Sequence, residues 1–116
     1  MDRWGTKAWE SRAGSRWLEA LFEKTSLAEH VEHTLRLPAV EYADDIRAAA
    51  AVIERLGHEG LWPRERLPRD VALAVFRLEE IHALGVIREP SVTADLRREI
   101  EVLRARSDSL AALESN

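Results

Sequence analysis

The stretch Arg55–Asp70, RLGHEGLWPRERLPRD, decides what kind of fold the chain can make. It holds two glycines, two prolines, one tryptophan, one histidine and four arginines. Such a run can be the turn of a DNA-binding motif, a metal loop, or an elbow between two helices. A DNA-binding turn needs a first helix here. Pro63 and Pro68 interrupt its place, because proline lacks a backbone donor and keeps the residue before it out of the α region. Glu65 also offsets part of the local positive charge. His58 has no co-ligand near it in sequence, so the metal loop lacks a donor set. The elbow remains. Gly57 caps one helix, Gly60 lets the chain turn, and Pro68 opens the next helix. Trp62 either plugs the joint or reaches a partner.

Helical patterns flank the elbow on both sides. Upstream, VEYADDIRAAAAVIERLG (Val40–Gly57) places Tyr42 or Ala43, Ile46, Ala49, Ala50, Ile53 and Leu56 on one stripe, with Asp44, Arg47 and Arg55 opposite. The alanine run permits close approach by a neighbouring helix. Downstream, Val71, Val75, Leu78 and Ile81 form a row that Ala74 and Phe76 widen, so this helix is expected to be buried on more than one side. Asp70 suits the helix dipole in its first turn, and Gly85 ends it.

Three further helices complete the reading. Near the start, Ala13, Trp17, Leu18, Leu21 and Phe22 share helical spacing, with Gly14 a weak spot. SLAE at Ser26 fits a capping box in which Ser26 and Glu29 bond reciprocally. The last helix carries Leu96, Ile100, Leu103 and Leu110 in coiled-coil phase, with Ser107 at the missing core position. Two heptads are too few for a coiled coil, and the tail SLAALESN is expected to fray. The expected helices are 7–24, 26–36, 40–56, 69–84 and 93–112. The fold is therefore all-α, one domain of four to five helices in a bundle or orthogonal array.

Composition narrows the function. Hydrophobic residues make up 46% of the 116, enough for a core, and the net charge of −4 argues against a broad nucleic-acid footprint. With no cysteine there can be no disulfide, thiolate metal site or cysteine nucleophile. No apolar run approaches the ~20 residues of a membrane span, and MDRWGTKAWESR lacks the apolar core of a secretory signal. A cytoplasmic protein with no membrane partner is expected.

Candidate chemistry is sparse. His30 and His33 share a helix face beside Glu29 and Glu32, a spacing that can offer two imidazoles to one metal but supplies no third ligand. Glu79 and His82 make one Glu-x-x-His step where a di-iron bundle needs two. Glu29, Glu32, Glu41 and Asp44 resemble the acidic pairs by which helical nucleotide pyrophosphohydrolases hold magnesium, although the pairs are close together and their flanks match poorly. No serine sits in a Gly-x-Ser-x-Gly elbow, and no glycine-rich loop could cradle phosphate. No cofactor is expected. LPRDVALAVFRLEEIHALGVIREP (Leu67–Pro90) has the outline of a winged-helix segment, in which a short strand follows the glycine and Arg69 and Arg77 face phosphates. Its apolar surface on most sides opposes that use.

Tryptophan is the most suggestive feature. Trp4, Trp9 and Trp17 crowd the first seventeen residues, and Trp62 lies in the elbow. Four are more than a small bundle needs for its core, and tryptophan concentrates at interface hot spots. Trp4, Trp9 and Trp62 are the expected contact residues, with Arg64 and Arg66 as polar rim. Packing of all four into one mini-core is the other reading.

Residues 8–67 resemble the helical N-terminal region of nitrile hydratase β subunits and their accessory relatives. The resemblance rests on Trp9 and Glu10 opening a helix, Ser26 capping a short one, Tyr42 opening the next, and Gly57 or Gly60 before a turn. It implies a partner or accessory chain. The sequence departs from the family in two ways. AEHVEH lacks the arginine that contacts the partner's metal centre, and the chain has no cysteine metal motif and no β-barrel half. Such a chain would not itself carry catalytic metal ligands.

The sequence thus points to a non-catalytic helical interaction subunit or accessory chain that binds another protein or itself. A winged-helix-like DNA-binding regulator and a small metal-dependent enzyme using His30 and His33 are the alternatives.

Overall fold

Each expected helix forms, and the computed structural model, which describes residues 2–114, is all-α. Helix α1 spans Arg12–Thr25, α2 Leu27–Leu35, α3 Ala43–Leu56, α4 Leu67–Leu84 and α5 Pro90–Glu114. Helices α4 and α5 pack most extensively, and α3 sits against α2 and α4. The core they enclose runs from Val31 and Leu35 through Ile46 and Ile53 to Val71, Leu78, Ile81, Leu96 and Leu103. Ala43, Ala49 and Ala50 are buried in α3, and it is Ala43 rather than Tyr42 that joins this stripe.

Several local readings are corrected. Helix α1 begins at Arg12, not near Lys7, because Ser11 adopts an extended backbone and its Oγ accepts from the Gly14 N–H at 3.1 Å. The residues before it fold into a loop, closed where Trp4 N–H donates to the Glu10 carbonyl at 3.0 Å and Arg12 N–H to the Asp2 carbonyl at 2.7 Å. The capping box at Ser26 does not form. Ser26 is at once the C-cap of α1 and the N-cap of α2, in left-handed backbone at φ 50, and its side chain makes no cap bond. With no linker between the helices, the end of α1 sets the geometry.

Phe76 does not widen the core face of α4: it is 64% exposed. It lies two residues from Ala74 and Leu78, about 200° around the helix. Helix α5 starts at Pro90, ahead of the expected 93, since proline is tolerated in a first turn. Its tail does not fray before Glu114, because Leu110 is buried and holds the last turns down; Ser115 and Asn116 lie outside the described residues. Gly85, at φ 66, ends α4 as expected.

Two arginines lock α3 to α5. Arg47 grips Glu99 with both Nε and Nη2 at 2.9 Å. Arg106 reaches the other end, where its Nη1 donates to the carbonyls of Ile53 at 2.9 Å and Gly57 at 3.1 Å. These are carbonyls at the C-terminus of α3, where intrahelical donors run out. No described helix is long and apolar enough to cross a membrane. Arg106→Met keeps most of the packing but removes the charged donor, and should lower unfolding free energy by about 2 kcal/mol in urea titrations. An unchanged midpoint would show that the cap contributes nothing.

Candidate interaction surfaces

The elbow consists of two successive single turns. Leu61 and Trp62 N–H groups donate to the His58 carbonyl at 3.1 and 3.0 Å, and Arg66 N–H donates to the Pro63 carbonyl at 3.0 Å. Gly60 makes the first turn possible. Its φ is +86, and a Cβ there would stand 3.1 Å from Cδ1 of Trp9. Both the backbone angle and the overlying indole therefore demand glycine.

These turns drive Trp62 inward, so it plugs the joint: only 2% of it is exposed. Its ring meets Phe22 of α1 edge-on, centroids 5.3 Å apart at 77°. A buried indole N–H needs an acceptor, and Trp62 Nε1 donates to Asp70 Oδ2 at 3.0 Å. Asp70 is therefore more than a first-turn charge. It is the buried acidic residue of the core, 1% exposed, and Arg66 Nε also donates to its Oδ2 at 3.2 Å. The guanidinium of Arg66 continues to Glu32 on α2, Nη2 to Oε1 at 2.6 Å. Arg69 Nη2 reaches the same oxygen at 2.9 Å. Glu32 is held below the usual carboxylate range, first by its hydrogen bond from Arg36 and then by that from Arg66.

The expected contact residues thus separate. Trp62 is an internal residue. Arg66 has most of its donors committed to Asp70, Glu32 and the Ala28 carbonyl, so it is not a free rim charge. Trp9 is half-buried and stacks on His58, centroids 6.0 Å apart and planes 9° from parallel, clamping the N-terminal loop to the elbow. Trp4 is 62% exposed, and Arg64 is exposed.

Sequence reasoning missed one surface. Periodicity put Ala13, Trp17 and Leu21 on the core face of α1, yet only Phe22 of this helix is buried. Trp17 is 66% exposed, Leu21 is exposed, and so are Ala13 and Ala20. The apolar arc of α1 is wider than its contact. Among the helices only α2 lies close to it, so Leu18 and Phe22 face inward while the Trp17 stripe faces solvent.

A cleft of about 1020 Å³ opens beside the joint, bounded by α1, the elbow and the end of α5. Phe22, Trp62, Leu67 and Leu110 lie at its base, and Leu113, 61% exposed, stands at its edge.

His30 and Asp44, with Asp45, line a small second pocket of about 370 Å³ between α2 and α3; the other side chains singled out for chemistry do not join them there. His30 and His33 are exposed, and no group of three or more potential metal ligands exists among the described residues. Glu79 pairs with Arg104, and His82 Nε2 accepts from Arg97 at 3.2 Å. Arg69 is bound to Glu32, and Arg77 donates to the Leu37 carbonyl and to Glu80. No strand follows Gly85; Val86–Glu89 has no regular structure. No family model, curated protein or solved structure matches this chain.

Asp70→Ala strands the Trp62 N–H and leaves Arg66 short of a partner. It should cost about 3 kcal/mol, more than Trp62→Phe, which loses the N–H and part of the indole volume but keeps one ring against Phe22 and leaves the Arg66 contact with Asp70. Chemical denaturation of the two variants checks the order, and a reversed order would mean that ring packing outweighs the network.

His58 supplies a pH dependence. Its pKa is lowered, first by burial and then by the charge of Arg106. The folded state therefore binds a proton less readily than the unfolded chain, whose histidine titrates near 6.5. The stability that the neutral ring supports is complete above pH 6.5 and is lost as pH falls toward the lowered value. Melting temperatures at pH 7.5 and pH 5 should differ less for His58→Gln than for the unaltered protein. An equal drop in both would assign the effect to another group.

Proposed function

We propose that the chain is a non-catalytic helical interaction subunit, an accessory chain that binds another protein through α1. The observation that carries this reading is the uncovered stripe of Trp17, Leu21, Ala13 and Ala20 on a helix that buries only Phe22. Covering the exposed two-thirds of one indole is worth about 3 kcal/mol of apolar transfer before the cost of association. The exposed Trp4 adds to the same N-terminal region. Support also comes from the titratable groups. Glu79 and His82 are bonded to Arg104 and Arg97, and no group of three or more side chains able to hold a metal stands among the described residues. The resemblance to nitrile hydratase β-type chains leads to the same kind of role, an accessory chain without catalytic metal ligands.

A photo-crosslinking residue tests the reading in the native cell. Placed at position 17, it should give a discrete covalent adduct with another protein, while the same residue at Ala51, exposed on α3, should not. Trp17→Ala should abolish complex formation and shift the melting temperature by no more than about 1 °C, because a mostly exposed side chain contributes little to the fold. No adduct from position 17, together with a large loss of stability in Trp17→Ala, would mean that the stripe is structural and would overturn the proposal.

A further inference from the structure

We infer that the cleft beside the elbow receives a basic amphipathic helix from a different protein chain. The inference rests on reading the chain as an interaction subunit, but it uses a surface separate from the Trp17 stripe.

The charge around the cleft is one-sided. Glu19, Glu23, Glu29, Glu59, Glu65 and Glu114 line it, against Arg64 and Arg66 alone. Arg66 is already engaged by Asp70 and Glu32. Over the rest of the surface many carboxylates have close guanidinium partners: Glu32, Glu54, Glu79, Glu80 and Glu99 are all ion-paired. On the cleft, among the described residues, only Glu29 reaches one, Arg66 at 3.9 Å. Like charges gathered around an apolar base raise the local negative potential, and cations from outside relieve it.

The base selects the rest of the ligand. Phe22 and Leu110 show only narrow apolar edges at the bottom, Trp62 is sealed beneath them, and Leu113, 61% exposed, supplies most of the uncovered apolar surface. A ligand complementary to both features is apolar on one side and carries lysine or arginine along its flanks. An α-helix is about 10 Å across and rises 5.4 Å per turn, so 1020 Å³ accommodates about two turns. Helix-in-groove binding presents such a face through residues spaced i, i+3, i+4 and i+7.

Other occupants fit worse. Nucleic acid and anionic lipid would bring phosphates against six carboxylates. A second copy could offer its own Trp17 stripe. That stripe lies on the far side of α1 from the cleft, since Trp17 and Glu19 are about 160° apart around the helix. Docking one into the other would leave a free cleft and a free stripe at the ends, an open head-to-tail chain rather than a closed dimer.

The test uses the whole protein and a fluorescent synthetic helix of about fourteen residues, with leucine at i, i+3, i+4 and i+7 and lysine on the flanks. A sister peptide carries glutamate in place of lysine. The lysine peptide should bind and the glutamate peptide should not. Glu19→Lys combined with Glu23→Lys should weaken binding about tenfold, as should Leu113→Asp. Asp44→Lys with Asp45→Lys, on α3 away from the cleft, should change it less than about twofold. All are substitutions of exposed side chains, and thermal melts confirm folding.

Equal binding of both peptides, equal weakening by the α3 pair, or no binding of the lysine peptide would overturn the inference. So would a concentration-dependent self-association abolished by Leu113→Asp, which would assign the cleft to a second copy. A failed peptide test leaves a cross-link from position 17 untouched, and a missing cross-link leaves peptide binding untouched.

Discussion

One buried carboxylate organises the joint on which the rest of the fold turns. Asp70 sits in the first turn of α4 with 1% of its surface in water, and its Oδ2 takes both the Trp62 indole N–H and the Arg66 Nε–H. A lone buried charge is costly; one that is paired and hydrogen-bonded is tolerated and fixes geometry. The bond to Trp62 pins the elbow inward, and the bond to Arg66 extends through Glu32 to α2. Two segments distant in sequence are thereby set at one angle: α2, and the elbow with the helix α4 that continues it. Trp62 lies at the base of the cleft, beneath the space that α1, the elbow and the end of α5 enclose.

The same constraint explains the lopsidedness of α1. Phe22 packs edge-on against Trp62 and ties the helix to the joint. Nothing among the other helices besides α2 comes close to it. The result is a helix held at one end of its apolar arc while the other end, around Trp17, is left in water. The N-terminal loop is held independently, through the Trp9 stack on His58 above Gly60. The four tryptophans therefore do different work. One seals the interior, one clamps a loop, and two stand at the surface.

Much of the fold was legible in the chain. The stripes of α3, α4 and α5 predict the buried residues well, because in these helices, Phe76 of α4 apart, the apolar arc matches the arc that neighbours cover. Gly85 ends α4 as a glycine in left-handed backbone should. The elbow followed from Pro63, Pro68 and the two glycines. Misreadings occurred where local pattern and tertiary demand diverge. At Ser26 a sound capping box is overruled by the helix that ends on the same residue. At Trp17, Leu21 and Phe76, apolar character was read as burial, although no neighbour covers those faces.

What the sequence by itself determined is the number, type and order of the elements, since periodicity, proline and glycine act over a few residues and need no partner. It also determined the absence of thiol chemistry. What only the tertiary structure decided is which apolar residues are covered and which charges are spent. Arg66 and Arg64 differ by two positions in the chain, yet one is locked between Asp70 and Glu32 and the other is exposed. Glu19 and Glu32 are alike as residues, yet the first faces the cleft and the second three guanidiniums. Burial and pairing depend on contacts across 30 residues or more of chain, and those distances are set by packing, which no local pattern contains.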